Sequence, residues 1–103
     1  GPAAAAMSRL GQQTWVIAYD TPSNSRRRKL AKLLEGYGLR VQWSVFECNL
    51  RREQLQQLRQ RLERLIVPEA DSVRLWPVPE RSCALVVHLG RTTAAADWQD
   101  RVI

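Results

Sequence analysis

The hydrophobic positions in the first half of the chain change from a strand-like run to a helical stripe. Residues 14–20 (TWVIAYD) are almost continuously apolar and rich in β-formers, which predicts a buried central strand that ends at an acid. Four apolar side chains then recur at the i, i+3, i+4, i+7 spacing of one helix face: Leu30, Leu33, Leu34 and Tyr37. Residues 21–25 offer a serine or asparagine N-cap. We expect Gly36 and Gly38 to end the helix, with Gly38 as the left-handed cap.

The second half of the chain predicts four more strands and one more helix. Residues 41–50 are strand-like, and a tight reversal near residues 43–45 would split them into two short strands. A second helical stripe follows and stops before Pro68: Leu55, Leu58, Leu62, Leu65 and Ile66. Residues 72–78 predict another strand, and residues 83–89 predict a last, strongly apolar one.

This order predicts an α+β, ferredoxin-like βαββαβ sandwich, with both helices on one face of an antiparallel sheet. The additional strand at residues 83–89 is too hydrophobic for an exposed edge. We therefore expect it to pair across a homodimer; the alternative is that it folds back onto its own sheet. We assign residues 7–90 to the domain, residues 1–6 to an expression remnant and residues 91–103 to a C-terminal tail.

The positive charge of the chain lies mainly in two segments. The 103 residues carry a net charge of +6, of which residues 25–40 contribute +5 and residues 51–67 contribute +3, while the rest sums to −2. Four consecutive cations occupy the first turn of the first helix: Arg26, Arg27, Arg28 and Lys29. The helix dipole disfavours cations at this end and favours anions. Because cations placed against the dipole cost local stability, they are typical of a functional site, and the cluster predicts a surface that binds the phosphates of a nucleic acid. A solvated charge run is the alternative.

Asp20 is the candidate for chemistry, because it stands at the carboxyl end of the buried strand, just before a helix. One carboxylate makes a poor Mg²⁺ site, since Mg²⁺ prefers octahedral oxygen ligands. Two Asp20 residues that face each other across a dimer axis would allow one shared ion, which could polarise a phosphate and supply hydroxide. The alternative is a turn or capping acid.

Other function classes find little support in the sequence. No apolar run approaches the ~20 residues that span a bilayer, so we exclude a membrane protein. Cys48 and Cys83 lack the spacing of a zinc site, and we interpret them as free apolar thiols of a cytoplasmic protein without a secretory leader. With one histidine, His88, no serine or cysteine triad can be assembled.

Four segments together resemble the CRISPR-associated Cas-two endoribonuclease family. They are residues 16–20 (VIAYD), 26–34 (RRRKLAKLL), 37–47 (YGLRVQWSVFE) and 71–75 (DSVRL), and the resemblance covers about two-thirds of the chain. The Gly-x-Arg-Val-Gln-x-Ser-Val-Phe-Glu stretch is the most specific of these motifs.

The resemblance implies a ferredoxin-like homodimer with swapped or paired C-terminal strands. It implies a role in CRISPR adaptation, in which the dimer bridges two Cas-one integrase dimers around a short DNA duplex. It also implies a Mg²⁺-dependent endonuclease acting on RNA or DNA at the dimer axis, with Asp20 as the catalytic metal ligand and Ser44 and Phe46 at motif positions nearby.

The chain departs from the family pattern in the loop after Asp20. Many members carry further aspartates there, whereas residues 21–25 (TPSNS) contain no carboxylate. This departure weakens the expectation of catalysis and leaves that of the adaptor role intact. A VapD-type ribonuclease toxin, which has a similar fold, is the alternative function.

Overall fold

The computed structural model describes residues 11–91, so the expectations for residues 1–6 and 92–103 lie outside the described residues. The elements are β1 Gln13–Asp20, α1 Asn24–Glu35, β2 Leu39–Gln42, β3 Val45–Leu50, α2 Arg52–Leu65, β4 Ser72–Val78 and the short α3 Glu80–Cys83. This order confirms the predicted βαββαβ pattern and the reversal that separates β2 from β3. No helix within residues 11–91 is long and apolar enough to cross a membrane.

The sheet is antiparallel throughout, with strand order β2-β3-β1-β4. Ile17 in β1 lies opposite Phe46 in β3 and Leu75 in β4, and its neighbours alternate between the two faces of the sheet. Helices α1 and α2 cover the face that carries Ile17, where Leu30 and Leu58 are fully buried. Each such aliphatic side chain contributes about 1.5–3 kcal/mol by burial. The predicted α+β ferredoxin-like class is confirmed.

Helix α1 begins where the turn chemistry predicts it. Ser23 is the N-cap, and its Oγ accepts a hydrogen bond from the Arg26 backbone N–H at 3.1 Å. A serine cap of this kind stabilises a helix by about 0.5–2 kcal/mol. The helix ends at Gly36, which keeps ordinary right-handed dihedrals, with φ at −75°.

The expectation that Gly38 adopts a left-handed conformation is wrong. Within residues 11–91 only Gly11 and Gly90 have positive φ. Gly38 is needed for space, because a Cβ there would lie 2.5 Å from Cys48 Sγ and 2.8 Å from Cys48 Cα. Cys48 itself is a core residue, and burial raises the pKa of its thiol to about 12.

The additional strand expected at residues 83–89 does not form within one chain. After Pro79 the chain turns into α3, and residues 84–89 are neither helix nor strand. The helical turn interrupts the extended backbone after β4, and an isolated strand has no partner for its N–H and C=O groups. Four apolar side chains in this segment are 65–86% exposed: Leu85, Val86, Val87 and Leu89.

A buried carboxylate fixes the start of α1 against the end of the sheet. The shielded side chain of Asp71 accepts hydrogen bonds from Thr21 Oγ1 at 2.6 Å, from Arg26 Nε at 2.6 Å and from the Val67 N–H at 2.8 Å. It thereby joins the β1–α1 turn, the first turn of α1 and the α2–β4 loop. Hydrogen bonds from Arg26, and then from the other donors, hold the pKa of Asp71 well below its usual range.

We expect Asp71→Asn to lower the urea midpoint of unfolding at pH 7. Because the folded-state pKa is lowered, the stabilisation is complete above the pKa of an unfolded aspartate, about 3.9, and is lost as the pH falls below that value. The gap between the midpoints of wild type and variant should therefore narrow steadily as the pH falls below about 3.9, and it should close only below the lowered pKa of the folded Asp71 carboxyl. Asp20→Asn, which changes an exposed carboxylate, is the matched control and should leave the pH 7 midpoint unchanged. A gap between wild type and Asp71→Asn that is independent of pH would contradict this role.

Candidate nucleic-acid interface

The structure places the two parts of the predicted site on opposite sides of the sheet. Asp20 is the exposed last residue of β1, opposite Ser72, and strand alternation puts it on the open face. The preceding residue, Tyr19, lies on the helix-covered face and is buried in the core. Asp20 and the cations of α1 are therefore presented to different surroundings.

Asp20 does not belong to a cluster of metal-ligating side chains within residues 11–91. Among residues 11–91, no three histidines, cysteines, aspartates or glutamates come close enough to hold a metal ion. Proteins usually hold Mg²⁺ by one or two carboxylates together with waters, so the single exposed carboxylate of Asp20 makes a poor site in one chain. A second Asp20, from another copy of the chain, would supply the missing carboxylate.

The four predicted cations are not equivalent. Arg26 is paired with Asp71 at 2.6 Å, so its charge is compensated. Arg27 hydrogen-bonds the Thr21 carbonyl oxygen at 2.8 Å and Asn24 Oδ1, which are both neutral, so its charge is not compensated by these contacts. Arg28 and Lys29 are exposed. The binding role of all four stays a prediction, but Arg27, Arg28 and Lys29 carry the charge that a ligand would meet.

A groove of about 420 Å³ lies between α1 and the β2–β3 turn. Its lining combines four cations, one carboxylate, two aromatic rings and one alanine: Arg27, Arg28, Lys32, Arg40, Glu35, Tyr19, Trp43 and Ala31. The groove extends the predicted cluster beyond the first turn of α1. Such a concave basic surface can hold phosphate groups.

The sequence prediction missed Lys32 and Arg40 as members of this surface, although both carry part of the +5 charge of residues 25–40. Lys32 follows Arg28 by four residues, a spacing that places both on one helix face. Arg40 belongs to the next strand, and no spacing rule connects it with α1. Its guanidinium carbon lies 5.8 Å from the Trp43 ring centroid and 5.3 Å from that of Phe46.

The two motif residues Ser44 and Phe46 contact Tyr19. The Tyr19 N–H donates to the Ser44 carbonyl oxygen at 3.1 Å, and the rings of Tyr19 and Phe46 stack with their centroids 6.4 Å apart. Phe46 is fully buried. Ser44 and Phe46 therefore fix the end of β1, where Tyr19 precedes Asp20 in the chain. A link of Ser44 and Phe46 to a metal stays a prediction.

Comparison with known sequences assigns the family. The sequence model of the CRISPR associated protein Cas2, the Cas-two family of the motifs above, matches residues 13–84. The CRISPR-associated endoribonuclease Cas2 3 of a Synechocystis species is 52% identical over 64 residues, which are 62% of this chain and 70% of that protein. The CRISPR-associated endoribonuclease Cas2 of Thermus thermophilus is 45% identical over 75 residues, which are 73% of this chain and 80% of that protein.

Solved structures agree with this assignment. The hypothetical protein TT1823 from Thermus thermophilus superimposes with a TM-score of 0.72 at 43% identity, over 81% of this chain and 96% of that one. Streptococcus pyogenes Cas2 gives 0.69 at 32% identity, over 75% and 99%. A chain of a partial Cas6-RT-Cas1–Cas2 complex gives 0.67 at 27% identity, over 75% and 90%. The chain therefore belongs to the CRISPR-associated Cas2 family and has a CRISPR-associated role.

Proposed function

We propose that this chain is a dimeric, nucleic-acid-binding adaptor of CRISPR spacer acquisition that works with the Cas-one integrase in the cytoplasm. The observation that carries this proposal is the basic groove beside α1, with four cations against the single carboxylate of Glu35. The structural relative in a complex named for Cas1 and Cas2 supports the integrase partnership. The VapD-type toxin alternative gains no support from the family match.

The cations would hold a short DNA duplex by its phosphates and leave the base sequence unread. Arg28, Lys29 and Lys32 are exposed on α1 and can approach a phosphate backbone without first breaking an ion pair to Asp71. Phosphate contacts of this kind release counterions, so the affinity falls as salt rises.

We expect Arg28→Gln/Lys32→Gln to weaken duplex binding for every sequence tested. Two lost phosphate contacts should reduce the slope of log affinity against log salt by about two. Fluorescence anisotropy with a labelled short duplex over a salt series measures this slope. Arg59→Gln/Arg64→Gln removes the same net charge from α2, outside the groove, and should keep the wild-type slope. Equal losses in both variants would contradict a site at the groove.

The homodimer is proposed from the apolar C-terminal segment and the open sheet face. Leu85 and Val87 are 77% and 76% exposed, and Trp76 on the edge strand β4 is 42% exposed. A second copy could pair residues 83–89 with the unpaired edge of β4, which would bury these side chains and satisfy the strand backbone. It would also supply a second Asp20.

We expect light scattering to report about 23.6 kDa for the wild-type chain in solution, twice the 11.8 kDa of one chain. Leu85→Asp/Val87→Asp should shift the mass to that of one chain, because both charges would be buried in the interface. Circular dichroism checks that the variant stays folded, which we expect because both side chains are exposed in the single chain. A wild-type mass of one chain would contradict the proposal.

Nuclease activity on RNA or DNA is proposed because the relatives are named endoribonuclease and endonuclease. Asp20 of both copies would hold one Mg²⁺ ion, which when bound supplies a Lewis acid and an activated water for phosphodiester hydrolysis. In that site Asp20 would bind the ion, while the α1 cations lie on the other side of the sheet and would hold nucleic acid separately.

We expect Asp20→Ala to abolish Mg²⁺-dependent cleavage while duplex affinity stays at the wild-type level, since the variant leaves the groove unchanged. Gel analysis of labelled RNA and DNA, with anisotropy in parallel, separates the two effects. Glu63→Ala removes an exposed carboxylate from α2 and is the matched control. Cleavage that persists in pure Asp20→Ala protein would exclude this residue as the metal ligand.

A further inference from the structure

The groove beside α1 contains two buried polar atoms without a hydrogen-bond partner in residues 11–91. They are the Tyr19 hydroxyl and Arg40 Nε. Tyr19 is only 5% exposed, yet it lines the groove. Buried polar groups in native proteins are nearly always paired, because an unpaired one loses its hydration without replacement. Two such groups at one groove therefore indicate a ligand with complementary oxygen atoms.

The charge of the groove selects an anion. Arg40 Nη1 lies 3.9 Å from Glu35 Oε1, a long ion pair that uses the only carboxylate in the lining. Arg27, Arg28 and Lys32 remain uncompensated by any acid of the groove. Arg40 Nε–H and the Tyr19 hydroxyl can both donate, so they suit the acceptor oxygens of a phosphate.

Trp43 adds an aromatic wall. It is 78% exposed at the β2–β3 turn, and the Arg40 guanidinium lies 5.8 Å from its ring centroid. A flat, exposed indole beside a phosphate site suits a nucleobase, which stacks on aromatic side chains whatever its identity. The volume of about 420 Å³ falls in the range of small-ligand pockets, about 300–1,000 Å³.

We propose that this groove binds one nucleotide, with its phosphate on the α1 cations, Arg40 Nε and the Tyr19 hydroxyl, and with its base stacked on Trp43. The ligand is a nucleoside phosphate, either free or as an unpaired nucleotide of a strand. Both donor atoms are buried in the unliganded chain. Contact with the phosphate therefore requires a side-chain movement, which we assign to Arg40 because this residue is only partly buried. This nucleotide site rests on the nucleic-acid binding proposed above and specifies it further. The paired bases of a duplex are already stacked, so only an unpaired base is available to Trp43.

The first experiment compares the full-length chain on a blunt duplex and on the same duplex with a single-stranded overhang. We expect the overhang to raise the affinity at least about fivefold, the effect of stacking one base on an aromatic ring. Trp43→Ala should abolish this gain and keep the blunt-duplex affinity, and Trp43→Phe should retain the gain. Tyr37→Leu is the matched control, because the Tyr37 ring also lies beside an arginine, with Arg61 at 5.9 Å, but lies outside the groove and outside the proposed dimer surface.

The second experiment separates the two sources and tests the phosphate contacts. Calorimetric titrations use adenosine 5′-monophosphate, adenosine and inorganic phosphate. Tighter binding of the monophosphate than of the other two identifies a free nucleotide as a ligand, whereas an overhang gain without monophosphate binding identifies the strand. Tyr19→Phe should weaken nucleotide binding and leave the unfolding midpoint equal or higher, because it removes an unpaired buried hydroxyl.

The outcomes distinguish this inference from the proposed function. Blunt-duplex binding without an overhang gain and without monophosphate binding overturns the nucleotide site and leaves the adaptor role standing. Monophosphate binding without duplex binding overturns the adaptor role and leaves the nucleotide site standing. The inference is also overturned if Tyr37→Leu removes the overhang gain as fully as Trp43→Ala does, or if inorganic phosphate binds as tightly as the monophosphate.

Discussion

The position of the basic surface at the start of α1 depends on one buried carboxylate. Asp71 accepts hydrogen bonds from Thr21 in the β1–α1 turn, Arg26 in α1 and Val67 after α2. Since these donors come from three separate segments, the start of α1 is held in one position against the end of the sheet. The same pair divides the arginine run: Arg26 becomes structural, and the following cations keep their charge for a ligand.

A second constraint is the alternation of side chains along β1. Tyr19 and Asp20 are neighbours in the chain, but one faces the helices and the other the open side of the sheet. The groove can therefore act within a single chain, whereas a metal site at Asp20 needs a second chain to complete its donors. The proposed adaptor and nuclease functions would therefore depend on opposite faces of the same strand, and loss of one would not require loss of the other.

The elements that could be predicted are those whose signals are local. The apolar run of β1, the stripe of α1 and the Ser23 cap follow from spacing and side-chain chemistry alone, and the structure agrees. The expectation for Gly38 is wrong because glycine serves two purposes, positive φ and close packing, and only the position of Cys48 decides between them. Residues 83–89 have the composition of a strand, but a strand also needs a paired neighbour, and in the single chain these residues pair with none of the sheet strands.

The candidate site also combines features with a local signal in the sequence and features that arise only from packing. The sequence by itself determined the fold class, the family motifs, the acid at the end of β1 and the concentration of charge in residues 25–40. Only the tertiary structure decided that Arg26 forms an ion pair with Asp71 and that Lys32 and Arg40 line one groove. It also decided that the Tyr19 hydroxyl and Arg40 Nε are buried there without a hydrogen-bond partner. Spacing rules relate residues within one helix or strand. The Arg26–Asp71 ion pair and the groove instead join residues of different elements, and which of these elements lie side by side is decided only when the chain folds.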